Sequence, residues 1–86
     1  MNIMMHIKIN NGTFEDYSEY VSSQSDAMSA FCRDTVLTKV DDHTAIATSE
    51  LFDPEGMKAM LSSDVAKEYA EKLGLERTLY SLQQYQ

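Results

Sequence analysis

Hydrophobic and polar positions divide the chain into six periodic segments separated by turn signals. Ile3-Met4-Met5-His6-Ile7-Lys8-Ile9 alternates, with Ile3, Met5, Ile7 and Ile9 on one side and Met4, His6 and Lys8 on the other, and reads as a strand. Asn10-Asn11-Gly12 is a turn, because Asn and Gly tolerate positive φ. Thr13 then stands as a helix N-cap, with Asp16 three residues on closing a weaker capping box and Glu15, Asp16 and Glu19 at the positive end of the dipole. Phe14, Tyr17, Val21, Met28 and Phe31 form a stripe at helical spacing, which predicts a helix from Phe14 to Ala30. Its middle, Ser22-Ser23-Gln24-Ser25, is a poor helix former and a place to kink.

The second half repeats this logic in a new order. Thr35-Val36-Leu37-Thr38-Lys39-Val40 is alternating and rich in β-branched residues, hence a strand. Asp41-Asp42 turns the chain, and His43 to Phe52 returns as the second arm of a hairpin. Asp53-Pro54-Glu55 is the sharpest local signal: Asp53 caps, Pro54 sits at the first helical position where its missing N–H is harmless, and Glu55 complements the dipole. Met57, Met60, Leu61, Val65, Tyr69 and Leu73 step by three and four, while Ser62-Ser63-Asp64 can re-cap the helix and bend it. Gly74 ends the helix, Arg77 to Leu82 is the last strand, and Gln83 to Gln86 is a polar tail.

The order is β-α-β-β-α-β, which is α+β and ferredoxin-like, within a single domain spanning residues 1–86. Right-handed crossovers put both helices on one face of a four-stranded antiparallel sheet, with strands one and three central. The uncovered face is not plainly polar, since Ile46 and Ala47 put apolar atoms on both sides of strand three. A sheet that is partly apolar on both sides calls for a partner sheet, so a homodimer is expected. Size points the same way. In a chain this short the apolar area that folding buries is worth about as much as ordering the residues costs.

This order, the hairpin running into Ser49-Glu50-Leu51-Phe52-Asp53-Pro54-Glu55-Gly56-Met57, and Glu71-Lys72-Leu73-Gly74-Leu75 before the final strand resemble the dimeric α+β barrel superfamily. Antibiotic-biosynthesis monooxygenase-like and stress-responsive barrel proteins belong to that group. The resemblance implies two sheets closing into a barrel across a dimer, with the helices outside. It implies no catalytic set, because the superfamily hosts oxygenation, isomerisation, decarboxylation, haem chemistry and plain scaffolding. The haem-degrading branch relies on an Asn, a Trp and a helical His, whereas this chain has no Trp and neither His lies in a predicted helix.

Charge narrows the partners. With 14 acidic against 7 basic side chains the net charge is -7, which leaves no run of cations to neutralise phosphates, so neither nucleic acid nor an anionic membrane surface is an expected partner. No uncharged stretch approaches the ~20 apolar residues of a membrane span. The first residues lack the basic region of a secretory signal, and Cys32 is the one cysteine, so a reducing cytoplasm is the expected compartment.

Candidate chemistry is sparse. His6, in a central strand, reads either as a base or polar anchor in a cavity or as a histidine bonded to backbone or a partner subunit. His43 reads as a solvated turn residue. Cys32 beside Arg33 is either a reactive thiol or a small buried residue at a helix-to-strand corner. Tyr17, Tyr20, Tyr69 and Tyr80 are candidates to line a small cavity with His6, since tyrosine offers an apolar body with a polar tip; the alternative is core. Met57 and Met60 carry the same two readings. His6, Tyr17 and Tyr80 are therefore the catalytic candidates, and Met57, Met60 and Tyr69 the ligand-binding ones. Cys32, His6 and His43 match no zinc spacing, and with Gly12, Gly56 and Gly74 alone there is no phosphate-cradling loop, so neither a metal nor a cofactor is expected. Two functions stay open: a homodimeric module that binds a small organic ligand or a partner, and a cofactor-independent monooxygenase or isomerase.

Overall fold

The alternating segment at the start of the chain forms β1 (Ile3–Ile9), and the elements that follow are α1 (Phe14–Ser23), α2 (Ser25–Met28), β2 (Cys32–Asp41), β3 (Thr44–Leu51), α3 (Pro54–Leu61), α4 (Asp64–Leu73) and β4 (Leu75–Ser81). This computed structural model describes residues 2–83. The strands make one antiparallel sheet of order β2-β3-β1-β4, so β1 and β3 are central as expected for a ferredoxin-like α+β fold. His6 lies between Ile46 and Thr78, and Ile7 between Ala45 and Arg77. That register puts Ile3, Met5, Ile7 and Ile9 under the helices, where Ile7, Ile9, Ala45, Tyr17, Tyr20 and Leu73 make the buried core. Met4, His6 and Lys8 go to the other face.

The caps follow from the sequence. Asp16 N–H donates to Thr13 Oγ1 at 3.3 Å and Thr13 N–H to Asp16 Oδ2 at 3.0 Å, the reciprocal box that starts α1. Gly56 N–H donates to Asp53 Oδ1 at 3.2 Å, with Pro54 opening α3. Ser63 caps α4 by accepting from Ala66 N–H, and Gly74 ends it at φ 61°. The hairpin tip is tied to the β1–α1 turn: His43 Nδ1 lies 2.8 Å from Gly12 O, and Lys39 bridges Glu15 and Asp42 at 2.9 and 3.1 Å.

Several boundaries differ from the sequence reading. The helix expected to reach Ala30 breaks at Gln24 and ends at Met28. Ser23 and Ser29 hydroxyls donate to the carbonyls of Tyr20 and Asp26, each at 2.6 Å, and this local bonding competes with a continuous helix. β2 begins three residues early, at Cys32, because a bulge around Asp34 (φ 56°) carries the strand through the corner. The hairpin turns at Asp42-His43 rather than Asp41-Asp42. Val65 is 49% exposed, since the second cap at Ser63 resets the helical phase and turns Ala66, Tyr69 and Leu73 inward instead. β4 starts directly after Gly74 and closes at Ser81, leaving Leu82 outside it; the tail beyond Gln83 lies outside the described residues.

Candidate functional site

Beneath the helices, the odd-numbered residues of β1 and β3 and the facing side of β2 leave a cavity of ≈ 90 Å³. Met5, Leu37 and Ala47 form its floor, and Met28, Met57 and Met60 close it from above. The stripe at helical spacing on α1 brings Tyr17 and Tyr20 to its wall. Both rings are buried, at 6% and 7% exposure, and they sit 6.1 Å apart, tilted by 53°. Tyr69 on α4 stacks on the far side of Tyr20 at 4.2 Å and 25°, which holds that ring in place. Tyr69 itself lines the open, polar groove between α1 and α4, with Asp16, Glu19 and Lys72.

Few polar groups border this apolar space. Arg77 enters from β4, half-buried, and its guanidinium makes no hydrogen bond or ion pair with any described residue. Burial pushes the Tyr17 and Tyr20 hydroxyls above the usual tyrosine range, and the nearby Arg77 charge works against that rise. At neutral pH both hydroxyls therefore keep their protons. At one end of the cavity Thr35 Oγ1 and Ser49 Oγ share a hydrogen bond at 2.8 Å, and the Ser49 hydroxyl donates to Arg33 O at 3.0 Å. Cys32 is buried beside this corner, its thiol donating to Met28 O at 3.5 Å.

The expected grouping of His6 and Tyr80 with the other tyrosines does not occur. Tyr80 pairs with Met4 and His6 with Ile46, so both stand on the open face of the sheet, across the backbone from Tyr17 and Tyr20. Side-chain alternation dictates the separation: Tyr17 arrives from a helix above the sheet, whereas even-numbered β1 residues and their partners face away. Tyr17, Met57 and Met60 do come together at the cavity. Arg77, Gln24 and Met28 join them there without having been singled out. Arg77 shares its side of β4 with Leu75 and Leu79, but that alternation does not tell which side is inward; the pairing of Arg77 with Ile7 does. Among the described residues no three His, Cys, Asp or Glu side chains gather as metal ligands. Nor is any helix among them long and apolar enough to cross a membrane.

No protein-family model matches the chain, and no curated protein matches it in sequence. Solved structures do. SnoaB, a cofactor-independent oxygenase from Streptomyces nogalater, superposes with a TM-score of 0.65 at 11% identity, covering 98% of this chain and 93% of that one. Rv0793 from Mycobacterium tuberculosis gives 0.52 at 12% identity, over 99% and 98% of the two chains. The chain shares the ferredoxin-like α+β fold of these structures. At such identities the likeness extends to the backbone and not to the side chains of the cavity.

Proposed function

We propose that the protein is a homodimeric small-molecule-binding module, with its ligand between sheet and helices and a second copy of the chain on the open face of the sheet. The observation that carries the binding reading is the cavity itself. It is an apolar space of ≈ 90 Å³ bordered by two buried tyrosines and one charged group that makes no hydrogen bond or ion pair within the described chain. Such a site is concave, apolar and furnished with a few convergent polar groups, which is what small ligands require. The dimer reading rests on the other face, where Val36 and Tyr80 are 48% and 47% exposed beside Met4 and Ile46. A two-fold contact between two such faces should bury more than ~1,200 Å² in total.

A cofactor-independent oxygenase or isomerase is the second reading, favoured by the likeness to SnoaB. It asks for a base in the cavity. The titratable side chains at this cavity are two protonated tyrosines and an arginine, none of them a base at neutral pH, so binding is the reading that the geometry supports better. Three four-carbon probes, butyrate, butyramide and 2-butanone, test it by calorimetry. At least one should bind saturably, and Ala47→Leu, which fills the cavity with three added carbons, should abolish binding while circular dichroism and melting stay cooperative. Absence of binding by all three, or binding unchanged in Ala47→Leu, would overturn the proposal.

A further inference from the structure

We infer that the cavity selects an anion, a short carboxylate whose chain lies on the apolar floor and whose carboxyl group meets Arg77. This deepens the binding reading above and rests on it. Three observations converge. Arg77 is the one cationic side chain that lines the cavity, and it has no carboxylate partner among the described residues. Its neighbours in charge are occupied elsewhere: Glu76 accepts from Asn10 Nδ2 at 3.0 Å, and the Lys39 ammonium is held by Glu15 and Asp42. Tyr17 and Tyr20 from α1 also line the cavity, within reach of the Arg77 charge, and neither hydroxyl donates to a described residue. Together they set one uncompensated cation and two free hydroxyls beside an apolar space.

The chemistry follows from that imbalance. A guanidinium presents a fork that matches a carboxylate, and in a half-buried, apolar setting the pair is screened less than at the surface. A neutral amide carries no charge to balance the guanidinium and offers it one oxygen instead of two. Volume limits the rest. An apolar cavity of about 150 Å³ accommodates benzene, so ≈ 90 Å³ suits a ligand of only a few carbons unless the flexible Met57 and Met60 side chains move. The excess of negative charge on the whole chain lies on helix exteriors such as Glu55, Glu68 and Glu71, where salt screens it.

Calorimetric titration of butyrate and its near-isosteric amide, butyramide, into the native protein and into Arg77→Gln and Arg77→Lys distinguishes the outcomes. The expected result is a preference for butyrate of at least ~10-fold in the native protein, falling to near parity in Arg77→Gln and retained in part in Arg77→Lys. Unchanged circular dichroism in each variant guards against a folding defect, and Arg77→Lys preserves the charge if Arg77→Gln proves unstable. Equal affinity for the two probes in the native protein would overturn anion selection while leaving the binding module intact. A preference undiminished in Arg77→Gln would remove Arg77 from the recognition. Failure of both probes, and of 2-butanone, to bind would overturn the inference and the binding reading together.

Discussion

Replacing Gly74 with alanine should destabilise the fold by about 2 kcal/mol. The residue stands at the end of α4 with φ 61° and ψ 50°, where an L side chain brings Cβ against the following carbonyl at about 1–2 kcal/mol. The surroundings add to this. A Cβ built on Gly74 lies 3.1 Å from Asn10 Cβ and 3.2 Å from Asn11 N, and those two residues cannot retreat freely. Asn10 and Asn11 N–H groups donate to the Gly74 and Leu73 carbonyls at 3.0 and 2.9 Å, and the Asn11 side chain donates to Lys72 O at 2.8 Å. The turn after β1 thus caps the last carbonyls of α4, and crowding at Gly74 loosens both. For a domain of this size ~2 kcal/mol corresponds to a fall in Tm of roughly 8–16 °C. Thermal unfolding followed by circular dichroism, at one protein concentration throughout, measures it. Gly74→Asn keeps the Cβ contact but tolerates the left-handed backbone, so it should recover about half of the loss. A Tm for Gly74→Ala within ~2 °C of the native value would refute the reasoning. Equal losses for Ala and Asn would refute its backbone component.

Three further outcomes are expected. Asp53→Ala removes the cap that accepts from Gly56 N–H and should cost about 1 kcal/mol, read as a lower Tm. Because the folded state holds the Tyr17 and Tyr20 protons above the usual range, both states are protonated below pH ~10 and stability is lost as pH rises beyond it; in an ultraviolet titration of phenolate absorbance, Tyr17→Phe should delete part of the latest-ionising amplitude, and loss of an early component instead would contradict the burial argument. Ile46→Lys puts an ammonium at the centre of the open face beside His6 and Thr38, and light scattering should show a dissociation midpoint raised at least ~10-fold against the native chain.

Local signals read well where one residue type solves one backbone problem. Thr13, Asp53 and Gly74 each supply what a helix end lacks, and each does so here at the position the sequence indicates. The alternation of β1 placed its apolar side under the helices residue by residue. What escaped depended on contacts distant in sequence. Val65 fits a helical stripe on paper, but Ser63 restarts the helix and rotates it outward. The bulge at Asp34 carries no Gly or Pro to announce it. The cavity was the hardest part to read. Four tyrosines and a histidine suggested one pocket, yet the pairing of Tyr80 with Met4 and of Arg77 with Ile7 exchanges a tyrosine for an arginine at the site. Only the register of β4 against β1 decides that, and register is a tertiary property.

Methionine methyl resonances test the central claim most directly, because the side chains divide between the two faces. Met5, Met28, Met57 and Met60 line the cavity, while Met4 stands on the open face of the sheet. In protein labelled with 13C at the methionine methyls, titration with butyrate should shift those four resonances along one saturable isotherm and leave Met4 in place. Dilution without ligand should do the reverse, moving Met4 as the dimer separates. A Met4 resonance that follows butyrate, or four cavity resonances that ignore it, would contradict the account.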